Sequence, residues 1–254
     1  METLWSKADL HLHSFYSDGA HDIPAILAHV AEHTDLKVLA FTDHDCITGA
    51  LQAHRLAPAY GLDVVVSQEV TTARGHLLAL FIESLIPAGL SIPETVERVH
   101  AQGGVAILAH PFDRVCNSPM RHWPRPTMAD WRSFQLDGLE AINGAQIDPT
   151  ANPRSMALVR TLGLAQTGGS DAHHKEVIGV AHTLFPGSTA ADLRAALVAG
   201  TTVAAGRGWC WADYVNWFKK SLIPRTVGRP WRPRPLPQPS FAAQPLDEAL
   251  STPL

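Results

Sequence analysis

The chain has 254 residues, 46% of them hydrophobic, and a formal net charge of −4 at pH 7. This length can enclose a full hydrophobic core and suits one α/β barrel as well as two small domains. The sequence has no apolar window of about 18 residues that could span a membrane, and its start lacks a signal sequence. The three cysteines lack a Cys-x-x-Cys spacing, so we expect a cytoplasmic protein rather than a membrane protein or a disulfide scaffold.

The first half of the chain alternates between predicted strands and helices. Apolar runs rich in strand-forming residues predict strands at residues 7–12, 38–42, 64–66, 77–82 and 105–109. Between them, one helix is predicted to start at an Asp22 cap and another to end at Gly61. A third helix is predicted to begin at the capping box formed by Ser91 and Glu94.

The second half keeps this alternation on either side of a long loop. Residues 113–135 carry several prolines and arginines, and we predict a loop with one short helix there. Strands are predicted at 139–142, 165–167 and 201–204, and helices at Asn152 and after a Ser188 cap. Near-continuous apolar strands that alternate with helices predict a parallel sheet covered by helices.

The C-terminal segment differs in composition from the rest. Residues 213–254 hold eight of the 19 prolines, with many arginines and no apolar periodicity. We therefore predict a globular domain over residues 1–212 and an extended or disordered tail over 213–254. The basic tail could contact nucleic acid or a protein partner, and a solvated terminus is the alternative.

Histidine and carboxylate residues recur at the ends of the predicted strands. The C-terminal ends of strands are followed by His11 with His13, His44, Glu69, His110, and Asp171 with His173. Side chains two positions apart on a strand project from the same face, so the pair of His11 and His13 could bind one metal ion. Parallel α/β folds place their sites at this edge of the sheet. Distant strand ends converge most easily in a closed barrel, so the pattern favours a barrel.

Taken in order, these segments resemble the polymerase and histidinol phosphatase (PHP) superfamily of metal-dependent phosphoesterases. The matching segments are Asp9-Leu10-His11-Leu12-His13-Ser14, Ser17-Asp18-Gly19, Thr42-Asp43-His44-Asp45, Glu69, Gly75-His76, Ala109-His110-Pro111 and Ser170-Asp171-Ala172-His173. The resemblance covers roughly residues 5–210. It implies an α/β fold of the distorted (β/α)7 barrel type, with usually three metal ions at the C-terminal rim.

The resemblance also implies nine metal ligands in three groups. The first ion would be bound by His11, His13, Glu69 and Asp171, the second by Asp18, His44 and His173, and the third by His76 and His110, with Glu69 bridging. Asp18, His44 and His173 are also the expected catalytic residues. A mixed imidazole and carboxylate shell suits two or three divalent ions, with manganese, iron or zinc expected.

The implied activity is hydrolysis of phosphate esters by a hydroxide that bridges metal ions. We expect a phosphorylated small molecule or a short nucleic acid as the substrate, and hence a nucleotide phosphatase or a short-oligonucleotide phosphodiesterase. Arg114, four residues after His110, is the candidate for binding a phosphate that is not cleaved. Histidinol-phosphate phosphatase is the nearest alternative, and a noncatalytic module pinned by its metal cluster is another.

Overall fold

The structure is a computed structural model that describes residues 4–115 and 117–219. Ten strands lie in two sheets of five. The first sheet contains β1 (Trp5–Leu12), β2 (Leu36–Phe41), β3 (Asp63–Val65), β9 (Ala181–Pro186) and β10 (Val203–Gly206), in the order β10-β9-β1-β2-β3. The second contains β4 (Ser67–Thr72), β5 (Gly75–Leu80), β6 (Val105–Leu108), β7 (Gly138–Asn143) and β8 (Ala165–Gly169), in that order.

The described residues contain seven α-helices, of which the first six connect strands and the seventh follows β10. They are α1 (Ile23–His33), α2 (Thr48–Leu56), α3 (Ile92–His100), α4 (Met128–Ser133), α5 (Ala151–Leu162), α6 (Ala190–Val198) and α7 (Trp211–Trp217). The predicted caps of α1 and α3 are confirmed, since Asp22 and Ser91 each accept a backbone hydrogen bond from the first helical turn. The predicted Ser188 cap of α6 is wrong. Thr189 caps this helix because Asp192 stands three residues after it and completes the capping box.

The prediction of a closed barrel is wrong. The described strands form two mixed sheets that do not close by continuous pairing. Strand β5 is antiparallel to both β4 and β6, and β9 is antiparallel to both β1 and β10. Only residues 73 and 74 separate β4 from β5, and so short a turn can join only antiparallel strands. The two sheets meet through isolated bridges, between Leu12 and Ala172 and between His44 and Glu69.

A shared apolar core lies between the two sheets. Leu10 and Val38 of the first sheet pack in one buried cluster with Leu78 and Ile107 of the second. The helices cover the outer faces, where for example Leu27 of α1 belongs to the same buried cluster as Phe41 of β2. The core therefore holds the sheets together below the bridges, and the C-terminal ends of several strands are brought to one edge.

The C-terminal part of the described chain departs from the sequence prediction. Helix α7 runs across the expected boundary at residue 212, so residues 213–217 are helical. The predicted tail from residue 220 onward lies outside the described residues. In the part of the chain that the structure describes, no helix has the length and apolar character needed to cross a membrane. The cytoplasmic location stays a prediction.

Candidate metal centre

The nine predicted ligands come together at one edge of the molecule. Their ligand atoms form four sets, each within 4.8 Å: His13, Asp18, His44 and His173; His11, Glu69 and His110; His11, His13 and Asp171; and His44, Glu69 and His76. His11 lies on β1, Glu69 on β4 and His76 on β5, and the other members follow the ends of strands. Residues from both sheets therefore contribute to a single cluster.

Glu69 lies at the centre of this cluster and is buried. Its Oε1 atom is 2.8 Å from His76 Nδ1 and 3.1 Å from His110 Nε2. Its Oε2 atom is 3.2 Å from both His11 Nε2 and His44 Nδ1. Burial alone would raise the pKa of Glu69, but the surrounding imidazoles hold that pKa well below its usual range. The carboxylate is thus charged and placed where it could bridge two cations.

Asp171 completes the deepest part of the cluster. Its Oδ1 atom lies 3.3 Å from His13 Nε2 and 3.6 Å from His11 Nε2. Its backbone has a φ of 51°, and that of His110 has a φ of 24°, both in the region that non-glycine residues rarely adopt. Such strained conformations concentrate at functional sites, and here both occur at residues that direct their side chains into the cluster.

Asp18, His44 and His173 form the mouth of the cluster. Asp18 Oδ2 is 2.9 Å from His173 Nε2 and 3.9 Å from His44 Nε2. The Asp18 and His44 side chains are 37% and 32% exposed, whereas those of His11 and Glu69 are at most 1% exposed. Burial opposes the charged form of His173, but the Asp18 carboxylate raises the pKa of His173 to about 9. Among the described ligands, Asp18 and His44 are thus the most exposed, so the cluster opens toward a substrate on this side.

The donor set fits divalent metal ions. His13 Nε2 and His76 Nδ1 are buried and have no hydrogen-bond partner among the described residues, although they face the Glu69 carboxylate at 3.4 Å and 2.8 Å, respectively. Buried polar atoms are normally hydrogen-bonded. A metal ion bound between these nitrogen atoms and the carboxylate would satisfy both, although they are not aligned for a hydrogen bond. A ligand set of imidazole and carboxylate groups suits zinc, iron or manganese.

Glu140 supports three parts of the cluster and was missed by the sequence analysis. Its Oε1 atom is 3.0 Å from His11 Nδ1, and its Oε2 atom accepts a 2.8 Å hydrogen bond from the His110 backbone N–H. Asn143 Nδ2 donates to Glu140 Oε2 and to Asp171 Oδ2. The available signal was a charged residue inside an apolar strand at 139–142. A buried carboxylate there needs polar partners.

Replacing Glu140 with glutamine is expected to weaken metal binding by about 10- to 100-fold, the usual cost of losing a carboxylate behind a ligating histidine. The amide has one acceptor oxygen in place of two, so either His11 Nδ1 or the donors on the other side lose their partner. Metal titration followed by calorimetry measures the change. Replacing the exposed Glu97 with glutamine is the control, and equal affinities in the two variants would contradict this role.

Two other buried carboxylates hold the backbone around the ligands. Asp43 accepts hydrogen bonds from the Ser14 backbone N–H at 2.8 Å and from the Ser17 hydroxyl at 2.7 Å, so it fixes the loop that carries Asp18. Asp9 accepts from the backbone N–H groups of Ser170 and Gly179. Burial raises the pKa of Asp9 to about 6.

Arg114, the predicted phosphate-binding residue, lies outside this cluster. Its side chain is 74% exposed, and its Nε atom is 3.2 Å from Asp148 Oδ2. It belongs to the loop that follows His110, so it stands on the same edge of the second sheet. Its role in substrate binding stays a prediction.

The sequence matches two protein-family models and an uncharacterized protein. A family model described as the PHP domain matches residues 9–149, and one described as PHP-associated matches residues 149–202. An uncharacterized protein of Methanocaldococcus jannaschii is 34% identical over 159 residues, which cover 58% of this chain and 86% of that protein.

Two relatives with named activities match shorter regions. A phosphoribosyl 1,2-cyclic phosphate 1,2-diphosphodiesterase of Eggerthella lenta is 37% identical over 100 residues, 37% of this chain and 38% of the relative. A 3′,5′-nucleoside bisphosphate phosphatase of Chromobacterium violaceum is 35% identical over 129 residues, 45% of each chain. This chain therefore spans less than half of either enzyme.

Among solved structures, a two-domain protein of Bacteroides vulgatus, described as containing a predicted PHP-like metal-dependent phosphoesterase, has a similar fold. The superposition has a TM-score of 0.65 at 19% identity and covers 86% of this chain and 70% of that protein.

Proposed function

This chain belongs to the PHP superfamily and is a metal-dependent phosphoesterase, and on that premise we propose that it hydrolyses phosphate groups of nucleotides or of short oligonucleotides. The observation that supports the proposal is the convergence of nine metal-ligand residues around Glu69, with an opening at Asp18 and His44. The names of the two enzymes that match in sequence, a phosphatase and a diphosphodiesterase, favour an enzyme over a noncatalytic module.

We propose that the cluster holds two or three divalent ions, with manganese, iron or zinc as the candidates. The proposed ligands are those the family resemblance implies: His11, His13, Asp18, His44, Glu69, His76, His110, Asp171 and His173. When bound, such ions neutralise phosphate charge and make a bound water acidic enough to react near neutral pH. A site with three ions would make the centre trinuclear, as the resemblance implies.

The chain's own residues would order and shield this site. Glu140 beside His11 Nδ1 would keep the proton on that nitrogen and leave Nε2 free to bind metal. The burial of His11, Glu69 and Asp171 would exclude water from the inner part of the cluster. The opening of the cluster is formed by Asp18, His44 and His173, so a phosphate that entered there would contact these residues. This position agrees with their expected catalytic role.

The remaining expectations are proposals of the same kind. Arg114 is proposed to bind a part of the substrate that is not hydrolysed. The partner of the basic tail, nucleic acid or protein, concerns residues 220–254, which lie outside the described residues. The division of the chain at residue 212 into a catalytic domain and a tail also stays a proposal.

The test is manganese-dependent phosphate release from a panel of AMP, adenosine 3′,5′-bisphosphate, a short oligoadenylate and histidinol phosphate. We expect the nucleotide substrates to react faster than histidinol phosphate. Replacing His44 with alanine should lower this activity at least about a hundredfold, because the cluster loses a proposed metal ligand at its opening, beside Glu69.

Replacing His33, which is exposed at the end of α1, with alanine is the matched control and should leave the rate unchanged. Retained activity in the His44 variant, or a preference for histidinol phosphate, would contradict the proposal.

A further inference from the structure

Four arginine side chains line one cavity near the loop that follows β6. The cavity has a volume of about 310 Å³ and is lined by Phe112, Arg114, Met120, Arg121, Arg125 and Arg154. Its size is at the lower end of the range of small-molecule sites, about 300–1,000 Å³. None of the nine proposed metal ligands lines it, so it is a separate site.

The charge of this lining is almost entirely positive. The lining contains no carboxylate, although four guanidinium groups at close range repel one another. In the described part of the chain, Asp148 Oδ2 lies 3.2 Å from Arg114 Nε and offsets part of this charge. Arg125 and Arg154 have no carboxylate oxygen within 4.0 Å in the same part of the chain. The cavity therefore presents excess positive charge to an anion.

Packing holds one of these arginines in a fixed position. The guanidinium carbon of Arg154 lies 4.2 Å from the centre of the Phe112 ring, and Phe112 is itself only 9% exposed. Stacking of this kind orients the planar group and leaves its edge available for hydrogen bonds. A guanidinium edge binds two phosphate oxygens at once.

The cavity lies on the same edge of the second sheet as the metal centre. Phe112 is two residues from His110, and the Asp113 backbone N–H donates to the His110 carbonyl oxygen at 3.0 Å, which makes a turn. Four residues separate the Cα atoms of His110 and Arg114 by at most about 14 Å. Arg154 lies in the first turn of α5, which follows the strand that carries Glu140. The loop that begins at His110 therefore connects the metal centre to the lining of the cavity.

We propose that the arginine-lined cavity binds a second phosphate group of the substrate, one that is not hydrolysed, while the first phosphate occupies the metal centre. This inference rests on the proposed function and narrows it to substrates that carry at least two phosphates. Arg125 and Arg154 bind the second phosphate together with the predicted Arg114. The second phosphate belongs either to a nucleoside bisphosphate or to the next phosphodiester of an oligonucleotide.

The experiment compares kcat/KM for AMP, adenosine 3′,5′-bisphosphate and the dinucleotide pApA in the manganese-loaded full chain. The wild type is expected to prefer one or both of the two-phosphate substrates over AMP. In the Arg125→Gln and Arg154→Gln variants, this preference should fall about tenfold, the effect of one lost charge-assisted hydrogen bond, and mainly through KM. Arg132→Gln, at an exposed position of α4 outside the cavity, is the control.

The substrate that loses its preference identifies the source of the second phosphate. A loss of preference for the bisphosphate alone identifies a small-molecule second phosphate, and a loss for pApA alone identifies a phosphodiester. Equal effects on all three substrates, or no effect, would overturn the inference while leaving the proposed function intact. If the wild type hydrolyses none of them, the proposed function fails. Calorimetric binding of the bisphosphate to the same protein then decides, since an unchanged Kd in both variants overturns the inference.

Discussion

Replacing Glu69 with glutamine is expected to lower turnover by about a thousandfold or more, roughly 4 kcal/mol of lost transition-state stabilisation. Through its two oxygen atoms, the residue contacts histidines that belong to all four ligand sets. Glutamine keeps the shape but has one neutral acceptor oxygen, so it cannot bridge two cations. Several cationic groups would then face one another without the central negative charge.

The measurement combines two assays on the purified variant. Metal analysis should find fewer ions per chain than in the wild type, and manganese-dependent phosphate release should fall in parallel. Replacing the exposed Glu83 with glutamine removes the same charge on the surface and should change neither quantity. A Glu69 variant with wild-type metal content and rate would rule out a bridging role.

The protein treated with a chelator is expected to lose stability as the pH rises from about 6.5 to about 9. In this state carboxylates raise the pKa of both His110 and His173 to about 9, against the burial that opposes their charge. A raised pKa stabilises the fold fully below the unfolded value of about 6.5, and this contribution disappears as pH passes the folded value. Each histidine would contribute on the order of 3 kcal/mol.

Urea unfolding at a series of pH values measures this change in the free energy of unfolding. The metal-loaded protein is the comparison and should show the opposite trend, because ions and protons compete for the same nitrogen atoms and ions bind more tightly at higher pH. His13, whose pKa is lowered by burial and by the charge of His173, works against the main effect. A chelated protein whose stability is flat or rises over this interval would contradict the assignment of these pKa shifts.

The sequence was most informative where a local rule determines the structure. The i, i+2 spacing of His11 and His13 requires only a strand, and Asp22 and Ser91 needed only the local chemistry of helix capping. Grouping the strand-end residues into one site required only that strand ends share an edge. Asp18 lies in a loop, so its assignment as a ligand depended on the family resemblance rather than on the regular spacing of side chains in a strand or helix.

Long-range features were harder to predict. The closed barrel was expected because distant strand ends converge most easily in a barrel and because the family resemblance implied one. Strand direction depends on the connections, however, and the two-residue turn before β5 makes this strand antiparallel to β4. Strand β9 has a weak alternating pattern and was not predicted. Glu140 is distant in sequence from His11 and His110, so its support of both could be found only from the folded chain.

The isolated bridges between the two sheets give metal binding a mechanical role. His11 and His13 extend from the first sheet, whereas Glu69 extends from the second, and any ion held between them ties one sheet to the other. Within residues 4–115 and 117–219, the backbone supplies two isolated bridges at this edge, so coordinate bonds would serve as the cross-links that continuous strand pairing provides in a closed barrel. The ions that enable hydrolysis would then also hold the two sheets together.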